Sequence, residues 1–190
     1  QRDKLINIVT HDVERIERLI TDYSQMLKDE AAITSEQMNK VNLKLIARSV
    51  VDDFNSIYNS KRGISINLKT NGSEEYIVLG IENRIEQIIA NLLENSISFS
   101  NDNQEIKVEL TKNENGQIYL NVIDQGEGFK EKDTTKIFNR FYSNRPGKFG
   151  EHSGLGLNIV KNLVDLHNAQ IFAKNNKDKG ANIEIIFPSA

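Results

Sequence analysis

Apolar residues in the first thirty positions recur at helical spacing. Leu5, Val9, Ile16, Leu19, Tyr23 and Met26 fall three and four apart about a polar Asp12, and Ile8, Ile20 and Leu27 widen the stripe. Arg2, Lys4, Glu14, Arg15, Glu17, Arg18 and Lys28 take the remaining faces. The pattern predicts one long amphipathic helix over residues 1–30, of the bundle or coiled-coil kind. So long a stripe needs partners, which this reading places in another subunit or in sequence beyond this chain. Residues 31–40 are polar, lack apolar periodicity and read as a linker.

From residue 41 the period changes repeatedly. Val41-Asn42-Leu43 suggests a short strand, and Leu45, Ile46, Val50, Phe54 and Ile57 give helical spacing up to Tyr58. Ile64 to Leu68 and Tyr76 to Leu79 alternate, with Asn71-Gly72 as the expected turn of a hairpin between them. A strong helix is predicted from Glu82 to about Phe99, its apolar face Ile85, Ile88, Ile89, Leu92, Ser96 and Phe99. Ile106, Val108 and Leu110 alternate with polar residues. Asn115-Gly116 signals a type I′ turn, and Ile118 to Ile123 returns as the partner strand. A second apolar-periodic helix runs from Leu155 to His167, closed by Asn168 in the left-handed conformation. Ile171 to Ala173 and Ile183 to Phe187 make a last hairpin around Lys177 to Gly180. Strands come mostly in antiparallel pairs rather than in β-α-β alternation. The expected domain therefore has two layers, with three helices on one face of a sheet and no doubly wound parallel core.

Composition narrows the function classes. The net charge of −3 offers no basic surface for nucleic acid. There is no cysteine, hence no disulfide framework and no thiolate metal site. No run of about 18 apolar residues would cross a membrane. Gln1 opens directly into helical pattern, so a fragment of a longer protein is expected.

Candidate chemistry gathers in the middle of the chain. Six of the 11 glycines lie between Asp124 and Leu157. Asp124-Gln125-Gly126-Glu127-Gly128 follows an apolar strand, and Ser153-Gly154-Leu155-Gly156-Leu157 opens a helix. Glycine loops of this kind let backbone approach a ligand closely, and a helix start offers N–H groups to a phosphate. Neither a Gly-Lys-Ser/Thr P-loop nor a three-glycine dinucleotide fingerprint is present. Residues 129–153 carry little pattern except near Thr135 to Phe141, as expected of a functional lid. Asn91 and Asn95 stand four apart on one edge of the preceding helix, where Asn is a poor former. An amide oxygen there can ligate Mg²⁺. His11-Asp12 on the first helix could accept a phosphate, although a surface histidine is the simpler reading.

Taken in order, Asn91 to Ser96, Asp124 to Gly128, Ile137 to Tyr142, Ser153 to Leu157 and the closing Gly180-Ala181 resemble the N, G1, F and G2 boxes and final strand of a sensor histidine kinase catalytic domain. That family belongs to the GHKL ATPase superfamily. The similarity covers about residues 41 to 188. His11-Asp12-Val13, Arg18-Leu19-Ile20 and Phe138 to Pro146 add a finer similarity to the ChvG/ExoS type of alphaproteobacterial envelope sensor.

The resemblance implies an α+β two-layer sandwich of the Bergerat type, with a mixed sheet and helices on one face, at 41–190. Residues 1–30 would be the second helix of a dimerisation and phosphotransfer bundle. It implies that ATP is bound by Asn95, Phe99, Asp124, Gly126, Gly128, Ser153, Gly154, Leu155, Gly156 and Leu157. Asp124 would accept from the adenine amino group, and Asn95, with Asn91, would hold Mg²⁺. Arg140 and Arg145 would meet phosphate charge, so Asn91, Asn95, Arg140 and Arg145 are the catalytic candidates. A response regulator receiver domain and a second copy of the chain are the implied partners, with no nucleic acid. The chain would be the cytoplasmic part of a bacterial inner-membrane sensor.

Two departures from the family pattern stand out. Ile97 and Ser98 replace a usual basic residue, and His11 is followed by Asp12 and Ile16 rather than by Glu and Pro. The acceptor histidine is accordingly expected outside this fragment. The alternatives are a GHKL ATPase that drives a conformational clamp, and a degenerate nucleotide-sensing module. Asn91 speaks against the clamp, because it stands where those relatives place a general-base Glu.

Overall fold

The computed structural model describes residues 36–71, 75–131, 133–142 and 154–190, and scattered positions between 6 and 27. Those scattered positions are helical. Ile6, Val9, Val13, Ile16, Ile20, Tyr23 and Leu27, spaced three and four apart, are all exposed.

The chain then forms β1 (Asn39–Asn42), α1 (Leu43–Arg62), β2 (Ser65–Thr70), β3 (Ile77–Gly80), α2 (Glu82–Phe99), β4 (Glu105–Lys112) and β5 (Ile118–Ile123). A 3₁₀ turn (Thr134–Phe138), α3 (Gly156–Leu166), β6 (Gln170–Asn175) and β7 (Ala181–Phe187) complete it. The main sheet has the order β2-β4-β5-β7-β6, with β2 parallel to β4 and every other pair antiparallel. Residues Ile106, Val108 and Leu110 of β4 and Ile118, Leu120 and Val122 of β5 point one way and are buried, as period-two alternation requires. Against them pack Ile85, Ile88, Ile89, Leu92 and Leu93 of α2, Leu43, Ala47 and Val51 of α1, and Val160, Leu163 and Val164 of α3. The expected two-layer sandwich with a mixed sheet is the observed fold.

Two expectations are corrected. β2 and β3 do not form a hairpin. β2 joins the main sheet beside β4, while β3 pairs antiparallel with β1 in a separate two-stranded sheet. The intervening α2 makes β2 to β4 a crossover, which a parallel pair demands. Asn71 is an anchor rather than a tight-turn residue: Tyr76, fully buried, donates its hydroxyl to Asn71 Oδ1 at 2.7 Å. The β4–β5 turn is also not type I′. Only Gly116 is left-handed, at φ 79°, and Asn113 closes the loop through its side chain to Gln117 N. Boundaries shift slightly too: β1 begins at Asn39, inside the expected linker, and α1 starts at Leu43, where Asn42 caps it by accepting from Lys44 N.

The ends of α2 are held from outside the helix. Its last turn has no basic residue of its own, and Arg62 supplies one, donating to Ile97 O at 2.9 Å and Ser100 O at 2.7 Å. At its first turn, buried Arg84 grips Glu36 through two bonds of 3.0 Å.

Candidate nucleotide site

The end of β5 delivers Asp124 into the protein, 5% exposed. Its Oδ1 accepts from Gly126 N at 2.8 Å and from Ala181 N at 3.1 Å. Burial is the main influence on this carboxyl and raises its pKa, with the two N–H donors acting the other way. Oδ1 is thus committed to backbone, while no partner among the described residues holds Oδ2.

Two close approaches shape this end of the site. A Cβ at Gly126 would stand 2.7 Å from the carbonyl oxygen of Phe99 and 3.1 Å from Asp124 Oδ1. Only a residue without a side chain lets this loop lie on the C-terminal end of α2. Gly180, at φ 93°, crosses Asp124 so closely that a Cβ would collide with its carbonyl oxygen. Asn176 ties the same strand ends together, its Nδ2 3.2 Å from Asp124 O and 3.3 Å from Ala181 O. Gly128, left-handed as well, leads into Phe129, whose N–H and C=O are both bonded by Asn175.

The other end of the site lies where α3 meets α2. A Cβ at Gly156 would be 3.6 Å from Asn91 Oδ1, so the first turn of α3 sits on the middle of α2. Among the described residues no side chain caps that helix start. Ile159 N is the first amide to bond back, to Leu155 O at 2.9 Å, leaving Gly156, Leu157 and Asn158 N–H ahead of it. Leu155 is fully buried and fixes the entry to the helix.

Helix α2 is the floor between these ends. Asn91, Asn95 and Phe99 are one turn apart along one stripe. Asn91 and Asn95 are half-buried, and Phe99 is 39% exposed rather than packed in the core as its periodicity suggested. At 1.5 Å per residue, Asn91 to Phe99 spans about 12 Å. A carboxylate and an exposed aromatic ring therefore mark one end, and helix N–H groups with no partner among the described residues the other. That polarity suits an elongated ligand with a flat donor-bearing head and an anionic tail.

Arg140 is exposed in a turn from Asn139 to Tyr142, closed by Tyr142 N to Asn139 O at 3.3 Å. Phe141 in the same turn has φ 61°, a conformation disfavoured for a bulky residue. A Cβ on Gly154 would be 2.9 Å from Tyr142 O, so Gly154 lies against this turn. Arg145 and Ser153 fall outside the described residues, as do His11 and Asp12. Asn158, Asn176 and the N–H of Ala181 are not singled out by the sequence. The Gly180-Ala181 pair was the one signal pointing to any of them.

The chemistry of the donors also bears on a metal. Among the described residues no group of three His, Cys, Asp or Glu side chains could hold an ion by itself. The oxygens at the tail end are amides, of Asn91 and Asn95. Hard neutral donors of this kind fit an ion that keeps waters and draws its charge compensation from a phosphate ligand, as Mg²⁺ does.

Comparison with known proteins adds to this geometry. A family model described as histidine kinase-, DNA gyrase B-, and HSP90-like ATPase matches residues 80–190, more than half of the chain. Sensor protein ChvG of Agrobacterium fabrum is 32% identical over 100% of this chain and 34% of its own length. Sensor protein ChvG of Rhizobium meliloti is 35% identical over 96% of this chain and 33% of its own length. The chain thus spans about a third of these curated relatives. Among solved structures, the nucleotide-free catalytic domain of histidine kinase ThkA superposes with a TM-score of 0.70 at 24% identity, over 81% of this chain and 97% of that one. Histidine kinase ThkA in complex with response regulator protein TrrA gives 0.73 at 23% identity, over 100% of this chain and 52% of that one.

Proposed function

The chain belongs to the family of histidine kinase-, DNA gyrase B- and HSP90-like ATPases, and from that premise we propose that it is the ATP-binding catalytic region of a two-component sensor histidine kinase. The observation that carries this reading is the division of labour at Asp124, one oxygen held by Gly126 and Ala181 and the other left for the adenine amino group. Guanine presents a carbonyl at the corresponding position, and a carboxylate facing it is repelled. Phe99 would flank the base, and Gly126 and Gly128 would let backbone pass beside it. Gly154, Leu155, Gly156 and Leu157, with Ser153, would bring N–H groups to the phosphates. Arg140 and Arg145 would add guanidinium charge. Asn95, assisted by Asn91, would hold Mg²⁺, which when bound neutralises phosphate charge and orients the oxygens.

With the triphosphate so placed, the protein has little covalent chemistry to perform. Catalysis is positioning of the γ-phosphoryl and stabilisation of its spreading charge. The acceptor is a histidine on a bundle helix, and an aspartate of a response regulator receives the phosphate next. An ATP-driven clamp would need a base to take a proton from water. Asn91, which lies against Gly156, has none to offer.

Residues 1–30 form the second bundle helix in this reading, and 31–40 lead into the catalytic domain. The exposed seam from Ile6 to Leu27 supports homodimerisation through the bundle. No described helix is long and apolar enough to cross a membrane. In this reading the region is the cytoplasmic part of a membrane sensor about three times its length, as the share of the relatives that it spans suggests.

Incubation with labelled ATP tests the proposal. The chain alone should gain no acid-labile phosphate, and an added sensor-kinase bundle carrying its histidine should become labelled, with Asn95→Ala abolishing the transfer. Strong labelling of His11 would contradict the assignment of the first helix, and rapid ATP hydrolysis without transfer would favour the clamp ATPase.

A further inference from the structure

Asn158 is the third residue of α3 and joins the first turn of that helix to the 3₁₀ turn. Its Nδ2 donates to Phe138 O at 2.9 Å, at the C-terminal end of the 3₁₀ turn. Its Oδ1 is buried and has no hydrogen-bond partner among the described residues, where the Phe138 bond orients the amide. Ile137 and Phe138 are buried, and Thr134 at the other end of the turn donates to Ala173 O at 2.8 Å. The 3₁₀ turn is therefore pinned at its start to β6 and at its end to α3.

Arg140 comes two residues after the carbonyl that Asn158 holds. Its turn is bracketed by that amide on one side and by the backbone of Gly154 on the other. We propose that Asn158 is a positioning residue for triphosphate recognition: it sets the Asn139–Tyr142 turn, with Arg140, against the N-terminal turn of α3. This rests on the ATP-binding reading and deepens it. Among the described residues, Asp124 and Gly126 at the base end of the site share no hydrogen bond with this link. Loosening it should weaken what the outer phosphate gains and spare what adenine and the inner phosphates gain. Since Thr134, Ile137 and Phe138 still anchor the 3₁₀ turn, the fold survives loss of one amide.

The test titrates the Mg²⁺ complexes of adenosine diphosphate and of a non-hydrolysable triphosphate analogue into the parent chain, Asn158→Ala, Asn158→Asp and Asn158→Gln. Asn158→Asp replaces the donor with a carboxylate oxygen facing the Phe138 carbonyl at a buried position, so a melting curve is recorded for every variant beside the titration. Both Asn158→Ala and Asn158→Asp should lose about tenfold in triphosphate affinity, the scale of one net hydrogen bond. Diphosphate affinity of Asn158→Ala should stay within about threefold of the parent, and Asn158→Gln, which retains an amide donor, should recover part of the loss. Equal losses for both nucleotides, or no loss for either, would overturn the proposal while leaving the ATP-binding reading intact. A parent chain that binds neither nucleotide would instead overturn that reading, and this one with it.

Discussion

Asp124 Oδ1 accepts from Gly126 and Ala181 in the protein itself, and burial raises the carboxyl's pKa. Two consequences follow with opposite signs for binding and stability. A raised folded-state pKa means the charged form is disfavoured in the folded chain, so this group costs stability above its folded pKa and costs none below the ordinary carboxylate value near 3.8. Asp124→Asn, which keeps the Oδ1 acceptor, should therefore melt no lower than the parent at pH 7. It should nonetheless lose about 100-fold or more in ATP affinity, because an amide donor then faces the adenine donor. Calorimetric melting beside a nucleotide titration checks both. ATP affinity of the parent should also fall as pH drops through the raised pKa, when the carboxyl gains a proton. Gly180→Ala is the opposite kind of change: its Cβ collides with backbone of Asp124 at a left-handed φ, so at least ~2 kcal/mol of stability should be lost in denaturant unfolding. His167 provides a third test. It is buried, its Nε2 accepts from Ile81 N at 3.1 Å, its Nδ1 lies 2.7 Å from Leu163 O, and burial lowers its pKa. The neutral ring is what the fold needs. Its contribution is complete above the ordinary value near 6.5 and declines as pH falls from there toward the folded pKa. His167→Phe should flatten that part of the stability–pH curve.

At the scale of elements, α2 carries both the core and the site. One face holds Ile85, Ile88, Ile89 and Leu92 against the sheet, and an edge holds Asn91, Asn95 and Phe99 beside the glycine loops. The helix stays in place because Arg62 and Arg84 hold its two ends. Arg62→Ala removes charged donors from Ile97 O and Ser100 O and should cost about 1.5–3 kcal/mol, with hydrogen exchange rising first in the last turn, next to Phe99.

Much of this architecture was legible in the chain. Helices α2 and α3 and the β4–β5 pair each bury one face, so the apolar period is written into consecutive residues. The pairing of β2 was not legible. Ile66 and Leu68 alternate whether the neighbouring strand is β3 or β4, and nothing local distinguishes the two. Asn115-Gly116 looked like a type I′ turn, but Asn113 takes over the closing bonds and leaves Gly116 alone left-handed. Candidate residues of the glycine or carboxylate kind, such as Gly126 and Asp124, stand out in the sequence by their clustering after a strand. Asn158 and Asn176 do not, because a single amide has no period, and the bonds to Phe138 O and Asp124 O cross 20 and 52 residues of chain.

For the whole molecule, the leading helical positions and the domain that follows bury their apolar residues differently. The domain encloses its own core, whereas Ile6, Val9, Val13, Ile16 and Ile20 remain in contact with water. A seam of three-four spacing on one helix gains burial only in company. Sedimentation should detect concentration-dependent self-association of the 190-residue chain, and removal of residues 1–30 should abolish it without lowering ATP affinity. A truncated chain that still associates would place the interface on the domain instead.

The most direct measurement is a binding titration of ATP and GTP, with and without Mg²⁺, on the parent chain, Asp124→Asn and Asn95→Ala. The expected result is saturable ATP binding by the parent and little GTP binding. ATP affinity should collapse in Asp124→Asn, and its Mg²⁺ dependence should vanish in Asn95→Ala. ATP bound equally well by the parent and by Asp124→Asn, or ATP and GTP bound alike, would contradict a base pocket built on this carboxylate.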